Sequence, residues 1–184
     1  MLFHYTTDRL NLNIHNSDAA PLVLDFVSRG RELFEKYEPA KPPAFYTIPY
    51  QETVLYNEFQ GCLSRRYVRF YVSLLENPDI IIGTVSFSLF RELPYADAII
   101  GYKFDPQYMG MGYATEAVDN CISIVMEEFH LHRVEALIMP NNISSIRLVK
   151  RLGFTYEGTA PSILKIKNTW ENHERYSLIN PTYY

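Results

Sequence analysis

From Ala96 to Phe154 the chain alternates between two side-chain periods, and this alternation narrows its possible folds more than any other feature. Ala96 to Phe104 reads as a strand. Ala114, Val118, Cys121, Ile122, Val125 and Phe129 then recur at helical spacing and predict an amphipathic helix over residues 113 to 129. Val134 to Met139 is again strand-like. Ser145, Leu148, Val149 and Leu152 mark a second helix face that stops at Gly153, and Phe154 to Glu157 returns to strand. A helix with one apolar stripe must bury it, and the neighbouring strands provide the surface. The order strand, helix, strand, helix, strand excludes purely helical and purely β architectures.

The first half differs. Arg9 to Ile14 alternates as a half-buried strand does, and Ser17-Asp18 supplies N-cap chemistry for a helix carrying Leu22, Leu24, Phe26 and Val27. Glu38 to Tyr50, EPAKPPAFYTIPY, holds four prolines and three aromatic residues and reads as a structured loop with enough aromatic surface to pack against a ligand. A helix over residues 52 to 63 follows. Strands at Val68 to Leu74 and Ile80 to Phe90 are separated by Asn77-Pro78-Asp79, and Leu93-Pro94-Tyr95 separates the second from Ala96 to Phe104, which predicts antiparallel pairing. Further strands are expected at Ile163 to Lys167 and Arg175 to Ile179. The expectation is one domain over residues 1 to 184 with an α/β (α+β) fold: a mixed, mainly antiparallel central sheet flanked by helices.

Composition removes several function classes. Lys and Arg total 17 against 21 Asp and Glu, a net charge of −4, and no basic run is long enough for a nucleic-acid tail. Cys62 and Cys121 stand far apart without CxxC spacing, so neither a disulfide framework nor a zinc site is expected. His130 and His132 form H-x-H without companion ligands, and no metal is assigned. The start MLFHYTTDRLNLN lacks the pattern of a signal peptide, and the longest apolar run, Ile80 to Phe90, is too short to span a bilayer. These readings lead to the expectation of a cytoplasmic protein without a direct nucleic-acid or membrane partner.

Gly110 and Gly112 lie between the strand ending at Phe104 and the helix starting near Tyr113. Helix N-termini present unpaired N–H groups and partial positive charge, and glycine lets a phosphate approach the backbone. A strand-to-helix turn that merely needs two permissive residues is the alternative. A dinucleotide fingerprint would need a third glycine where Thr115 stands, and a Walker loop would need Gly-Lys-Ser/Thr. Neither is present. Gln107-Tyr108-Met109-Gly110-Met111-Gly112-Tyr113-Ala114 instead resembles the Q/R-x-x-G-x-G/A signature of the GNAT superfamily of N-acetyltransferases. Asn142-Ile143-Ser144-Ser145-Ile146, Leu152-Gly153-Phe154 and Glu157-Gly158 are similar to the N-x-x-S-I…LGF…EG run of its ribosomal-protein N-terminal acetyltransferase (Rim-type) branch. Thr7-Asp8-Arg9-Leu10, His132-Arg133-Val134-Glu135-Ala136, and Trp170 with Tyr176-Ser177-Leu178 extend the likeness along the chain.

The resemblance implies acetyl-CoA as cosubstrate. The backbone from Met109 to Ala114, with Gln107, Met111 and Tyr113 in the motif, would hold its pyrophosphate, and Asn142 would contact the pantetheine. The strand ending at Phe104 would pair with the pantetheine arm, and its amides near Tyr102 to Phe104 would polarise the thioester carbonyl. Ser145 would lie near the CoA sulfur as proton donor, with Tyr156 or another tyrosine as competitor. Arg147, Lys150 and Arg151 put positive charge on the same helix, and Lys150 is the candidate contact to the adenosine 3′-phosphate. Glu116 matches the T-E-A pattern and is the first candidate base, although a first-turn acid also serves as a dipole partner or capping-box residue. Asp97, Glu135, Glu171 and water are alternatives. The stretch Thr169-Trp170-Glu171-Asn172-His173 lacks the usual Gly and Asp of the branch.

Transfer directly to an amine in a ternary complex follows, in a monomer or homodimer. The resemblance favours a protein N-terminal α-amine as acceptor. An α-amine, with pKa near 7.7–8.0, is about a tenth neutral at pH 7, whereas a Lys amine near 10.4 is far less so. A small amine such as a polyamine or aminoglycoside is the second reading, and a CoA-binding regulatory module without turnover the third. The segment from Phe34 to Tyr50 corresponds to the variable wall of the acceptor site.

Overall fold

The computed structural model describes residues 1–183. An eight-stranded sheet runs through the molecule in the order β1-β2-β3-β4-β5-β6-β8-β7. The strands are β1 (His4–Thr6), β2 (Leu10–Asn13), β3 (Val68–Leu74), β4 (Asn77–Arg91), β5 (Asp97–Phe104), β6 (Arg133–Ile138), β7 (Thr155–Ile166) and β8 (Thr169–Ile179). All neighbours pair antiparallel except β5 and β6, which run parallel because α4 (Tyr113–Phe129) crosses between them. The other helices are α1 (Ala20–Arg29), α2 (Arg31–Tyr37), α3 (Ile48–Leu63) and α5 (Ile143–Arg151).

Alternation along the strands divides the side chains between two faces. On one, Val85, Phe87, Ile100, Phe104, Val134, Ala136 and Ile138 pack with Ala117, Val118, Cys121 and Val125 of α4 and with Val149 of α5. On the other, Tyr71 and Ile81 pack against Val23 and Phe26 of α1, Phe34 of α2 and Leu55 of α3. Both stripes predicted for the second-half helices are therefore buried on one face of the sheet. Full burial of each such aliphatic side chain contributes roughly 1.5–3 kcal/mol.

Several boundaries depart from expectation. The β3–β4 turn is Leu75-Glu76, since Leu74 pairs with Asn77, and Asn77-Pro78-Asp79 already belongs to β4. The predicted loop from Glu38 to Tyr50 ends earlier: a 3₁₀ turn forms at Pro43–Tyr46, and α3 starts at Ile48, with Pro49 in the first turn where its missing N–H costs nothing. Before α1, Asn16 rather than Ser17 caps, accepting from the Asp18 N–H. Helix α2 was not expected. Gly30 separates it from α1 because a Cβ there would stand 2.1 Å from the Phe34 ring. Three short terminal strands were expected, and the chain forms one long β7–β8 hairpin instead. Most β7 side chains are exposed, so no alternation was available to read.

Candidate active site

The parallel pair β5–β6 stays hydrogen-bonded only from Asp97↔Arg133 to Ile100↔Ala136. Beyond that point β5 follows β4 as far as Gly83↔Phe104, while β6 follows β8 to Ile138↔Glu174. The sheet opens between them. Gly83 allows this course of β5, because the Phe104 ring lies over it where a Cβ would come within 2.3 Å. A cleft of about 780 Å³ passes through the opening and joins the two faces.

On the α4/α5 side the cleft is lined by Tyr108, Met109, Gly110, Gly112, Ala114 and Thr115, and by Asn142, Ser145, Arg147 and Arg151. Gly110 and Gly112 have φ of +78° and +84°, the left-handed region that turns successive N–H groups outward at the start of α4. A Cβ at Gly110 would meet nothing within 4 Å, so its backbone is open to a bound group. The loop is clasped from below. The Arg9 guanidinium donates to Met111 O at 3.1 Å, pairs with Glu116 at 2.6 Å and lies 4.5 Å over the Tyr113 ring. Asp105, almost fully buried, accepts from the Gln107 N–H at 2.9 Å and pairs with Arg29 of α1. An outward-facing set of N–H groups at a helix N-terminus, with cationic Arg147 and Arg151 nearby, suits the phosphates of a nucleotide cosubstrate.

Asn142 caps α5, its Oδ1 accepting from the Ser145 N–H at 3.3 Å and from Ser144 Oγ at 3.0 Å. Tyr102 points to the same side and donates to Ser145 O at 3.1 Å. Burial pushes its phenol well above the ordinary value, against the smaller opposing effect of this bond, so it stays a donor. Ser145 Oγ has no hydrogen-bond partner among the described residues and faces a cleft that Ser145 lines. Tyr156, the competing hydroxyl, bonds Thr159 at 3.0 Å on β7 and does not line the cleft.

Not every expected residue reaches the cleft. Gln107, Met111 and Tyr113 lie outside its lining, as does Lys150, whose neighbours Arg147 and Arg151 line it instead. Glu116 faces away. Its carboxylate accepts from Thr7 Oγ1 at 2.6 Å, Arg9 N at 3.0 Å and Arg9 Nε at 2.7 Å. Partial burial opposes its ionisation, and the Thr7 hydroxyl and Arg9 guanidinium outweigh that, holding the acid below the usual carboxylate range. Both of its oxygens are thus committed. Asp97 and Glu135 are taken up by Arg91, Arg133 and Arg175, with Arg175 Nη2 3.0 Å from Glu135.

The opposite end of the cleft holds residues that the sequence reading missed. Glu58 of α3 pairs with Arg69 at 3.0 Å and accepts from Tyr71 at 2.8 Å, while Lys103 pairs with Glu38 at 2.8 Å. Desolvation pushes the Lys103 ammonium down to about 8 against the pull of Glu38. Burial works against the Glu38 carboxylate, yet Lys103 and Lys41 hold it below its usual range. Phe34, Tyr37, Phe45 and Tyr50 wall this chamber, as their stretch of sequence suggested. A lone Glu on a helix or a Lys in a strand carries no signal; only the sheet register assembles them.

Among the described residues no helix is long and apolar enough to cross a membrane, and no group of three or more His, Cys, Asp or Glu stands together to hold a metal. Comparison with known proteins agrees with the geometry. Residues 9–155 match the acetyltransferase (GNAT) domain model. The chain is 32% identical over 158 residues to the probable N-acetyltransferase YjcK of Bacillus subtilis, covering 86% of this chain and 87% of that one. It is also 32% identical over 181 residues to the ribosomal protein uS5-alanine N-acetyltransferase of Escherichia coli, covering 96% and 90%. The crystal structure of a ribosomal-protein-S5-alanine acetyltransferase from Vibrio fischeri superposes with a TM-score of 0.92 at 28% identity over 98% of each chain. The chain belongs to the GNAT acetyltransferase family and is an acetyl-CoA-dependent N-acetyltransferase.

Proposed function

We propose that the enzyme acetylates the α-amino group of a protein N-terminus, with acetyl-CoA on the α4/α5 side of the sheet and the acceptor chain on the α1–α3 side. The observation that carries this reading is the through-sheet cleft. It separates a glycine-loop cradle from an aromatic and charged chamber and lets them meet only where β5 and β6 part. The similarity to uS5-alanine N-acetyltransferase over 96% of the chain supports a peptide acceptor beginning with alanine. The whole chain acts as one catalytic domain.

The N–H groups around Met109 to Ala114 bind the pyrophosphate, and Arg147 and Arg151, with Lys150 beside them, neutralise the adenosine phosphates. Asn142 holds the first turn of α5, placing Ser145 Oγ to protonate the departing thiolate. Backbone amides of β5 between Tyr102 and Phe104, left without a β6 partner, polarise the thioester carbonyl. Glu116 acts through Arg9 on the shape of the loop. Alignment of two bound reactants in this way contributes up to about 7–11 kcal/mol.

The test is a panel of acceptors followed by mass spectrometry: an alanine-initiated peptide, the same peptide with a blocked N-terminus and an internal lysine, spermidine, and an aminoglycoside. Acetylation of the first alone is expected. Preference for spermidine or the aminoglycoside would replace the peptide reading with the small-amine one, and thermal stabilisation by acetyl-CoA without turnover of any amine would leave a binding module.

A further inference from the structure

Acetyl transfer to an amine releases a proton from nitrogen, and the carboxylates that a base would be sought among are either paired or lie away from the cleft. Glu116, Asp97 and Glu135 are paired outside the cleft. Inside it, Glu58 is held by Arg69 and Tyr71, and Glu38 by Lys103 and Lys41. Glu171 lies beside a separate recess formed with Met139, Pro140, Asn141, Trp170 and Asn172.

His173 of β8 differs from all of these. It is 3% exposed, yet it lines the cleft. Its Nδ1 lies 3.2 Å from the carbonyl oxygen of Glu171. A carbonyl only accepts, so Nδ1 carries the hydrogen and Nε2 keeps its lone pair. Nε2 has no hydrogen-bond partner among the described residues. The sheet register gives its direction. Glu135 pairs across with Ser177 and Leu137 with Arg175, so His173 follows on their face beyond the end of β6. On β5, Ile99 pairs with Glu135, which puts Gly101 and Lys103 on that same face. His173 and Lys103 therefore flank the opening on the side assigned to the acceptor.

We infer that His173 Nε2 is the proton acceptor for the attacking amine, an inference that rests on the acceptor entering from the α1–α3 side. The neutral amine nitrogen forms a bond to the thioester carbon and the carbon–sulfur bond breaks. The surplus proton on nitrogen passes to His173 Nε2, and sulfur takes a proton from Ser145 Oγ. Solvent then removes the first proton and restores the second, so amine and thioester become amide and thiol with charge conserved. The Glu171 carbonyl fixes the imidazole orientation throughout.

The experiment compares wild type with His173→Ala and His173→Gln, using whichever of an alanine-initiated peptide or spermidine the wild type acetylates; that choice tests the acceptor reading separately from the role of His173. Both variants are expected to lose at least tenfold in kcat with acetyl-CoA affinity unchanged. Added imidazole should restore part of the rate to His173→Ala, where the ring has left a space, and more basic substituted imidazoles should restore more. Wild-type kcat in His173→Gln would overturn the assignment. So would a loss that no imidazole rescues in a variant whose melting temperature and acetyl-CoA affinity are intact. If His173→Ala does not fold, the kcat and solvent deuterium isotope effect of His173→Gln decide: both unchanged would remove the base role.

Discussion

Two side chains carry sharp expectations at the scale of the residue. Ser145→Ala should reduce kcat by about 100-fold or more, in the range of general acid–base contributions, and leave acetyl-CoA affinity within about twofold. Single-turnover kinetics with calorimetry would check this, and unchanged turnover would remove Ser145 as proton donor. Lys103 affects stability. Its folded pKa of about 8 lies below the unfolded value near 10.4, so the unfolded chain binds the extra proton between these values. The penalty for burying the ammonium is fully present below pH 8 and fades as pH rises from 8 towards 10. Lys103→Met is therefore expected to gain on the wild type at pH 7, by at most about 3 kcal/mol, with the gain shrinking by pH 10. Urea unfolding at the two pH values measures it, and a pH-independent difference would sink the argument. The sequence showed Ser145 through its motif. Nothing near Lys103 announced a buried ammonium, because its burial comes from α2 and from Glu38, remote in sequence.

At the scale of the element, the segment from Asp105 to Glu116 behaves as one part. Its glycines supply the conformation, Asp105 anchors its start to α1, and Arg9 binds its middle and its helix together. Arg9→Ala should weaken acetyl-CoA binding several-fold while changing kcat at saturation little, since loop shape is a binding property. Gly112→Val should do more: a branched side chain at φ +84° is strained, and a Cβ there already stands 3.3 Å from Arg9 Nη2. Isothermal titration with acetyl-CoA separates the two, and equal affinities would show that the loop is not held this way. The GxG spacing and the helix after it were legible from sequence, and α4 begins and ends where its apolar period does. The clasp was not, because Arg9 is more than a hundred residues away and Glu116 read as a first-turn dipole partner or a candidate base. Likewise the nearly continuous exposure of β7 concealed the full length of a strand that edge position, not burial, allows.

For the whole molecule, the decisive feature is a cleft that passes through the sheet where β5 and β6 part. In the function proposed above, donor and acceptor approach it from opposite faces and must be bound together for transfer. Initial-rate plots against each substrate should intersect, and no acetylated enzyme should accumulate when acetyl-CoA is added alone. Cys62 and Cys121 are buried, and burial pushes both thiols up, Cys121 well above its ordinary value. Alkylation of the native enzyme should therefore leave turnover intact, whereas parallel initial-rate lines would require a covalent carrier and a different arrangement of the site.

The amino-acid sequence by itself determined the periodic elements, the mixed sheet, the glycine cradle and the Asn142–Ser145 pair, since all of these depend on residues close together in the chain. Tertiary structure alone decided where β5 leaves β6, which charges meet in the chamber on the α1–α3 side, that Glu116 is spent on Arg9, and that His173 reaches the cleft. Those outcomes depend on strand register and on pairings between distant segments, where a shift of one residue turns every side chain to the other face.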